Sequence, residues 1–263
     1  MKVLMTADAV GGVWTYALDL SAALAARDIS IVLATMGPRP SDSQRAAVAK
    51  LANVELVTSD YRLEWMDDPW SDVAAAGDWL LGLAARAHVD LIHLNGYSHA
   101  ALPWARPIVV VAHSCVYSWW QAVHEEPPPA EWIIYRRNVT RGLNGADHVI
   151  APTQAFLDQL HSCYEVTRPA SVIRNGHATD ADDASSRRLP IVFSCCRLWD
   201  EAKNIRTLDA AAESSLWRVY AAGPTQGPEE QSFVASHLVS LGALPAQEVA
   251  AWMRQASIFA HPA

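Results

Sequence analysis

The sequence predicts an α/β protein with parallel sheets, and three observations predict it. Short apolar runs rich in β-branched residues recur along the chain, the mark of strands buried on both faces. Stretches with apolar residues at helical spacing separate them. The same alternation starts afresh after a polar stretch at 181–188 (ADDASSRR), so the chain reads as two domains, 1–178 and 179–263. Its 263 residues, 51% hydrophobic and 18% charged, suffice for two folded cores.

In order, residues 2–6 (KVLMT) read as a first strand, a loop with Gly11 and Gly12 follows, and 14–27 (WTYALDLSAALAAR) is helical. Strand, glycine-rich turn and helix open a Rossmann-like unit, although the loop lacks the GxGxxG spacing of a dinucleotide site. A second strand covers 30–34, a Pro- and Ser-rich loop 36–43, a short strand 54–57 and a helix 72–87. Further strands are expected at 89–94, 108–112 and 146–151. Before the last of these, 117–132 carries Trp119, Trp120 and three prolines at 127–129, which bar a helix there and suggest a surface excursion. Thr153 is the expected N-cap of a helix over 154–161, and a strand at 171–174 closes the first half. The second half reads as strands at 191–195, 217–222, 238–241 and 258–260, with helices at 203–213, 229–236 and 245–255.

Composition excludes several classes. A formal net charge of -8 leaves no basic excess to neutralise phosphates, which argues against a nucleic-acid binder. The four cysteines, Cys115, Cys163, Cys195 and Cys196, show no CxxC spacing and read as reduced thiols, with no zinc site and no disulfide framework. No signal-peptide pattern and no run long enough to span a bilayer is present, so a soluble, cytoplasmic chain is expected. Eleven tryptophans suit core packing, and a sugar-binding cleft would also use some to cover C–H faces.

The candidate chemistry lies at strand ends. Arg197 falls where the strand 191–195 exits and Lys203 where the next helix starts. A strand handing over to a helix aims backbone N–H groups and a positive dipole end into the turn. Two added cations would make a receptor for a dianion such as a diphosphate. The competing reading is a surface Arg and Lys paired with Asp200 and Glu201. His93 and His113 also fall at carboxyl ends of strands, where ligands bind such sheets. A working imidazole is the preferred reading for His113, whereas His93 is equally well a structural histidine. Gly11-Gly12 signals either close approach of backbone to a ligand or an ordinary tight turn. Glu125-Glu126 reads as a solvated pair. Asp180-Ala181-Asp182 spells a metal-binding DxD, but in a polar linker, so no metal is expected.

These elements together resemble GT-B fold glycosyltransferases, and more narrowly glycosyltransferase family 4, the retaining group with nucleotide-sugar donors. The matching stretches are TADAVGGVW near the start, VVVAHS at 109–114, GADHVIAPT at 145–153, IRNG at 173–176, RLWDEAKN at 197–204, AAGP at 221–224, LGALPAQEVAAWM at 241–253 and the closing ASIFAHPA. The resemblance implies two Rossmann-like domains, an acceptor side in 1–178 and a donor side in 179–263. It implies that Arg197 and Lys203 hold the donor diphosphate, that Gly11 and Gly12 approach it, and that Gly223 and Leu244 line the nucleotide. It places His113 near sugar and acceptor; Trp14 and His93 are further candidates on the acceptor side. No cofactor or metal is implied, the nucleotide-sugar being a substrate.

Two departures from the family pattern stand out. Beyond Pro262 the family continues into an acidic donor-sugar motif, so the second domain is expected to be incomplete and to expose the apolar edge 258–260. His177 and Ala178 replace the last residues of the usual NGVD. The leading reading is therefore metal-independent, retaining glycosyl transfer to a glycan, lipid or small-molecule acceptor, with a complementing C-terminal chain as a candidate partner. The second is a non-catalytic or partner-dependent nucleotide-sugar-binding module; an epimerase and an NAD enzyme rank lower. Arg136, Arg137 and Arg141 suit either peripheral contact with an anionic membrane surface or a solvated helix face.

Overall fold

The computed structural model describes residues 1–177, 188–227 and 231–263. The chain forms two compact units, Met1–Thr179 and Asp180–Ala263.

The first unit runs β1 (Lys2–Asp8), α1 (Gly12–Ala25), β2 (Ser30–Met36), α2 (Asp42–Val48), β3 (Val54–Thr58), α3 (Trp70–Ala87), β4 (Leu91–Leu94), β5 (Ile108–Val111), α4 (Val116–His124), α5 (Ile133–Gly145), β6 (His148–Ala151), α6 (Gln154–Cys163) and β7 (Ala170–Val172). Its seven strands are all parallel in the order β3-β2-β1-β4-β5-β6-β7. The order reverses beside β1, so α1 and α3 lie on opposite faces and two cores form. One gathers Val3, Met5, Trp14, Ala17 and Leu33 under α1. The other gathers Leu4, Leu80, Ile92, Val110, Val139 and Leu143 under α3 and α5. Period-two alternation along β1 divides its side chains between these cores.

Three helices here, α2, α4 and α5, are not among the elements expected from the sequence. The 36–43 loop gives way to α2, whose capping box joins Ser41 and Gln44, while Gln44 Nε2 donates to Ala9 O at 3.0 Å and ties down the β1–α1 loop. The supposed excursion at 117–132 begins as α4, N-capped by the Cys115 sulfur, and becomes irregular at Glu125, which takes φ 55°. The prolines at 127–129 follow that helix and do not interrupt it.

The second unit runs β8 (Leu189–Cys195), α7 (Ile205–Ala212), β9 (Arg218–Ala222), β10 (Val239–Gly242), α8 (Ala246–Gln255) and β11 (Ala256–Phe259). Its four parallel strands are ordered β10-β9-β8-β11, again reversing beside the first strand. A single 3₁₀ turn (Glu201–Lys203) precedes α7, and Asn204 at φ 48° separates the two, where one helix over 203–213 was expected. Of the helix expected over 229–236, the described residues 231–236 are not helical; Ser232 instead bridges Gln226. On the edge strand β11, Ile258 and Phe259 are 46% and 48% exposed.

Buried Asp209 of α7 organises this unit. Its carboxylate accepts the backbone N–H groups of Ser236, His237 and Leu238 at 2.9–3.2 Å. Burial pushes its pKa up, but those three donors outweigh burial and hold it below the ordinary carboxylate value. A depressed folded pKa contributes stability above the unfolded value of about 3.9, lost as pH falls through the folded value. Asp209→Ala should cost about 1–3 kcal/mol in denaturant unfolding at neutral pH, through unpaired N–H groups. It should also flatten the acid limb of the stability profile; an unchanged limb would count against this account.

Candidate functional site

In the first unit the strand order reverses beside β1, and the junction between the carboxyl ends of β1 and β4 is the usual ligand position in such sheets. Asn95, the residue after β4, spans it. Its backbone N–H reaches Thr6 Oγ1 at 3.0 Å and its Nδ2 reaches the Thr6 carbonyl at 2.6 Å. On the other side, Asn95 Oδ1 lies 2.9 Å from His113 Nε2. His93, on β4 itself, contributes the second imidazole, with Nε2 3.5 Å from the Tyr16 hydroxyl. The Tyr16 ring, one turn into α1, packs edge-on against His113 at 4.5 Å and tilted toward His93 at 6.0 Å.

Both imidazoles are neutral at pH 7. Burial drives His93 down to about 4; a hydrogen bond with Asn95 opposes this and His113 adds to it. Burial alone takes His113 to about 4, and it raises the Tyr16 phenol to about 12. The cluster is therefore uncharged and rich in hydrogen-bonding atoms.

The other candidates on this unit separate. Gly11 and Gly12 are exposed at the start of α1, which has no side-chain cap, and a Cβ at Gly12 would meet nothing within 4 Å. The fold leaves that helix N-terminus open. Trp14, expected toward an acceptor, is 6% exposed and packs in the core with Val3, Met5 and Ala17. Tyr16, two residues on, takes the outward position. Neither Tyr16 nor Asn95 stood out from the sequence; the cue was Asn95 directly following the strand that carries His93.

In the second unit the equivalent reversal lies between β8 and β11, and Arg197 and Lys203 follow β8 there. Arg197 Nη2 pairs with Asp200 Oδ2 at 2.5 Å, and its guanidinium lies 5.3 Å over the Trp199 ring. Asp200 is 7% exposed, and its other oxygen accepts the Ala202 N–H at 3.0 Å. The expected pairing with Asp200 is thus real for Arg197, while among the described residues no carboxylate lies within 4.0 Å of Lys203. Both cations act on the Cys196 thiol. Burial and the Cys195 thiol raise that thiol to about 11, while Lys203 and Arg197 pull it down.

Gly223 ends β9 at φ 144°, and a Cβ there would stand 1.6 Å from the Cys196 carbonyl oxygen. Its glycine is demanded by backbone packing against the residue before Arg197. Leu244 packs on the core of Phe193, Ala222 and Ala256. Asn204 Nδ2 donates to Pro262 O at 3.2 Å, joining the turn before α7 to the segment after β11. Among the described residues no group of three or more His, Cys, Asp or Glu is placed to hold a metal, and none of the helices is long and apolar enough to cross a membrane. Asp180 and Asp182 lie outside the described residues.

Two parallel sheets of this kind are the architecture of the GT-B fold. The sequence profile of Glycosyltransferase Family 4 matches residues 10–181, and the chain belongs to that family. A comparison with curated proteins returned no match. Among solved structures, a glycosyltransferase from Rickettsia africae aligns with a TM-score of 0.65 at 11% identity, covering 98% of this chain and 72% of that one. Phytolacca americana UGT2, complexed with UDP-2-fluoro-glucose and pterostilbene, aligns at 0.61 and 11% identity, covering 98% and 74%. A UDP-glucosyltransferase from Polygonum tinctorium capable of glucosylating indoxyl aligns at 0.60 and 14% identity, covering 98% and 74%.

Two outcomes are expected from this geometry. A histidine whose folded pKa lies below its unfolded value of about 6.5 contributes stability that is full above that value. The melting temperature should therefore fall as pH drops from about 6.5 toward 4, and NMR titration should find His93 and His113 neutral at pH 6. Ordinary titration near 6.5 would overturn the burial argument. Gly223→Ala should displace the Cys196–Arg197 backbone and destabilise the second unit by about 1–3 kcal/mol in chemical unfolding.

Proposed function

We propose that the chain transfers a sugar from a nucleotide-sugar to a hydroxyl acceptor, with retention of anomeric configuration and without a metal ion. The observation that carries this reading is the pair of cations after β8: Arg197 held by Asp200 and Trp199, and Lys203 with no carboxylate partner among the described residues. Breaking a sugar–phosphate bond puts negative charge on the leaving diphosphate. Fixed cations favour that charge as it develops, more than they favour the ground state. This is the service a metal ion would otherwise supply.

Gly11, Gly12, Arg197, Lys203, Gly223 and Leu244 are assigned to the donor, with Gly223 acting by shaping the turn that carries Arg197. His113 and His93 are assigned to the sugar and acceptor side, and Tyr16 replaces Trp14 there. The acceptor is a glycan, a lipid or a small molecule. Support comes from family membership and from a protein of the same fold, Phytolacca americana UGT2, solved with UDP-2-fluoro-glucose and pterostilbene.

Calorimetric titration with UDP, GDP and ADP tests the reading. One nucleotide should bind, and Lys203→Ala should weaken it by about tenfold or more, as loss of a charge-assisted phosphate contact does. Lys203→Ala is a cleaner variant than Arg197→Ala, which strands the buried Asp200 carboxylate. Failure of a folded chain to bind any of the three would sink the proposal.

A further inference from the structure

The Thr6–Asn95–His113 chain of contacts determines which ring nitrogen of His113 carries the proton. The Thr6 carbonyl oxygen can only accept, and it lies 2.6 Å from Asn95 Nδ2. The amide NH2 therefore faces Thr6, and Oδ1 faces the imidazole. Oδ1 can also only accept, so the nitrogen 2.9 Å from it, His113 Nε2, must donate. Thr6 is 2% exposed and also holds the Asn95 backbone N–H, so the amide is fixed from a buried wall.

We propose that Asn95 is a positioning residue that holds His113 as the Nε2–H tautomer, leaving the Nδ1 lone pair to accept a hydrogen bond from a substrate hydroxyl.

The inference rests on the glycosyl-transfer reading above and deepens it by naming the kind of atom that His113 meets. Among the described residues, the titratable groups seen to interact with His113 are His93 from β4 and Tyr16 from α1, both held neutral by burial. Neither offers a negative charge to support an imidazolium. No partner for Nδ1 is found among the described residues. A neutral ring presenting a lone pair repels an anionic oxygen and suits an O–H donor. His113 thus serves a hydroxyl, and the diphosphate is left to the cations after β8.

Long-range 1H–15N NMR of the whole labelled chain at pH 7, without substrate, tests this independently of any transferase activity. His113 should show a protonated Nε2 and an unprotonated Nδ1. Asn95→Asp places a carboxylate against the ring and should raise the His113 pKa from about 4 by about one to three units. Asn95→Ala should release the ring to a mixture of tautomers. Protonation at Nδ1 in the native chain, or an unmoved His113 titration in folded Asn95→Asp, would overturn the proposal. The native tautomer is read without any variant, so misfolding of a variant leaves that arm decisive.

Discussion

The structure depends on one topological constraint, repeated in each unit: the strand order reverses beside the first strand. Parallel strands need crossovers, and a crossover takes one hand, so chains that leave in opposite directions from a central strand must cover opposite faces. At the carboxyl ends, the loops on the two sides of the reversal part company. A crevice is left that apolar side chains from the sheet do not fill. Unpaired polar groups are costly in buried strand interiors, and so most of the chemistry collects at the strand ends. His93, Asn95 and His113 collect there in the first unit, and Arg197 and Lys203 in the second.

Two strand-order reversals of the same origin carry different kinds of side chain. In the first unit the two histidines are neutral because they are desolvated. In the second, Arg197 and Lys203 share a turn with Asp200 and Glu201, and the buried acid, Asp200, is committed to Arg197 and to a backbone N–H. The division suits a reaction in which a hydroxyl and a diphosphate must be recognised by different means.

The strands were legible because burial on both faces selects runs such as IVVV and KVLMT, and because turn residues bound them. The helices were legible only where one face was plainly apolar. In α5 the buried stripe Tyr135, Val139, Gly142 and Leu143 is interleaved with Arg136, Arg137 and Arg141, which hid it. The aromatic residues of α4 are indifferent helix formers, and the prolines beyond its end drew the boundary too early. The capping box at Ser41 was the signal for α2. Placement at or just after strand ends follows from topology, which is why His113, Arg197 and Lys203 could be singled out as candidates. Trp14 was misjudged because a tryptophan beside a glycine-rich turn suits a ligand and a core equally; helix phase decides, and phase gives the outer position to Tyr16. Asn95 was missed since its role lies in two hydrogen bonds that no spacing reveals.

The pairing of Arg197 with Asp200 bears on how the cationic rim would work. A free guanidinium would bind a diphosphate more strongly in the ground state, yet it would have to be ordered at each encounter, and ground-state binding does not lower the barrier. Asp200 is buried, so it cannot turn to water, and with one oxygen on Arg197 and the other on Ala202 N–H it cannot swing to Lys203. The guanidinium is thereby held in place with donors to spare, while no carboxylate among the described residues lies within 4.0 Å of Lys203. Orientation from one cation and charge from the other would let the rim respond to the negative charge that appears as a sugar–phosphate bond breaks. A rim of two unpaired cations would spend the same attraction on simply holding the intact donor.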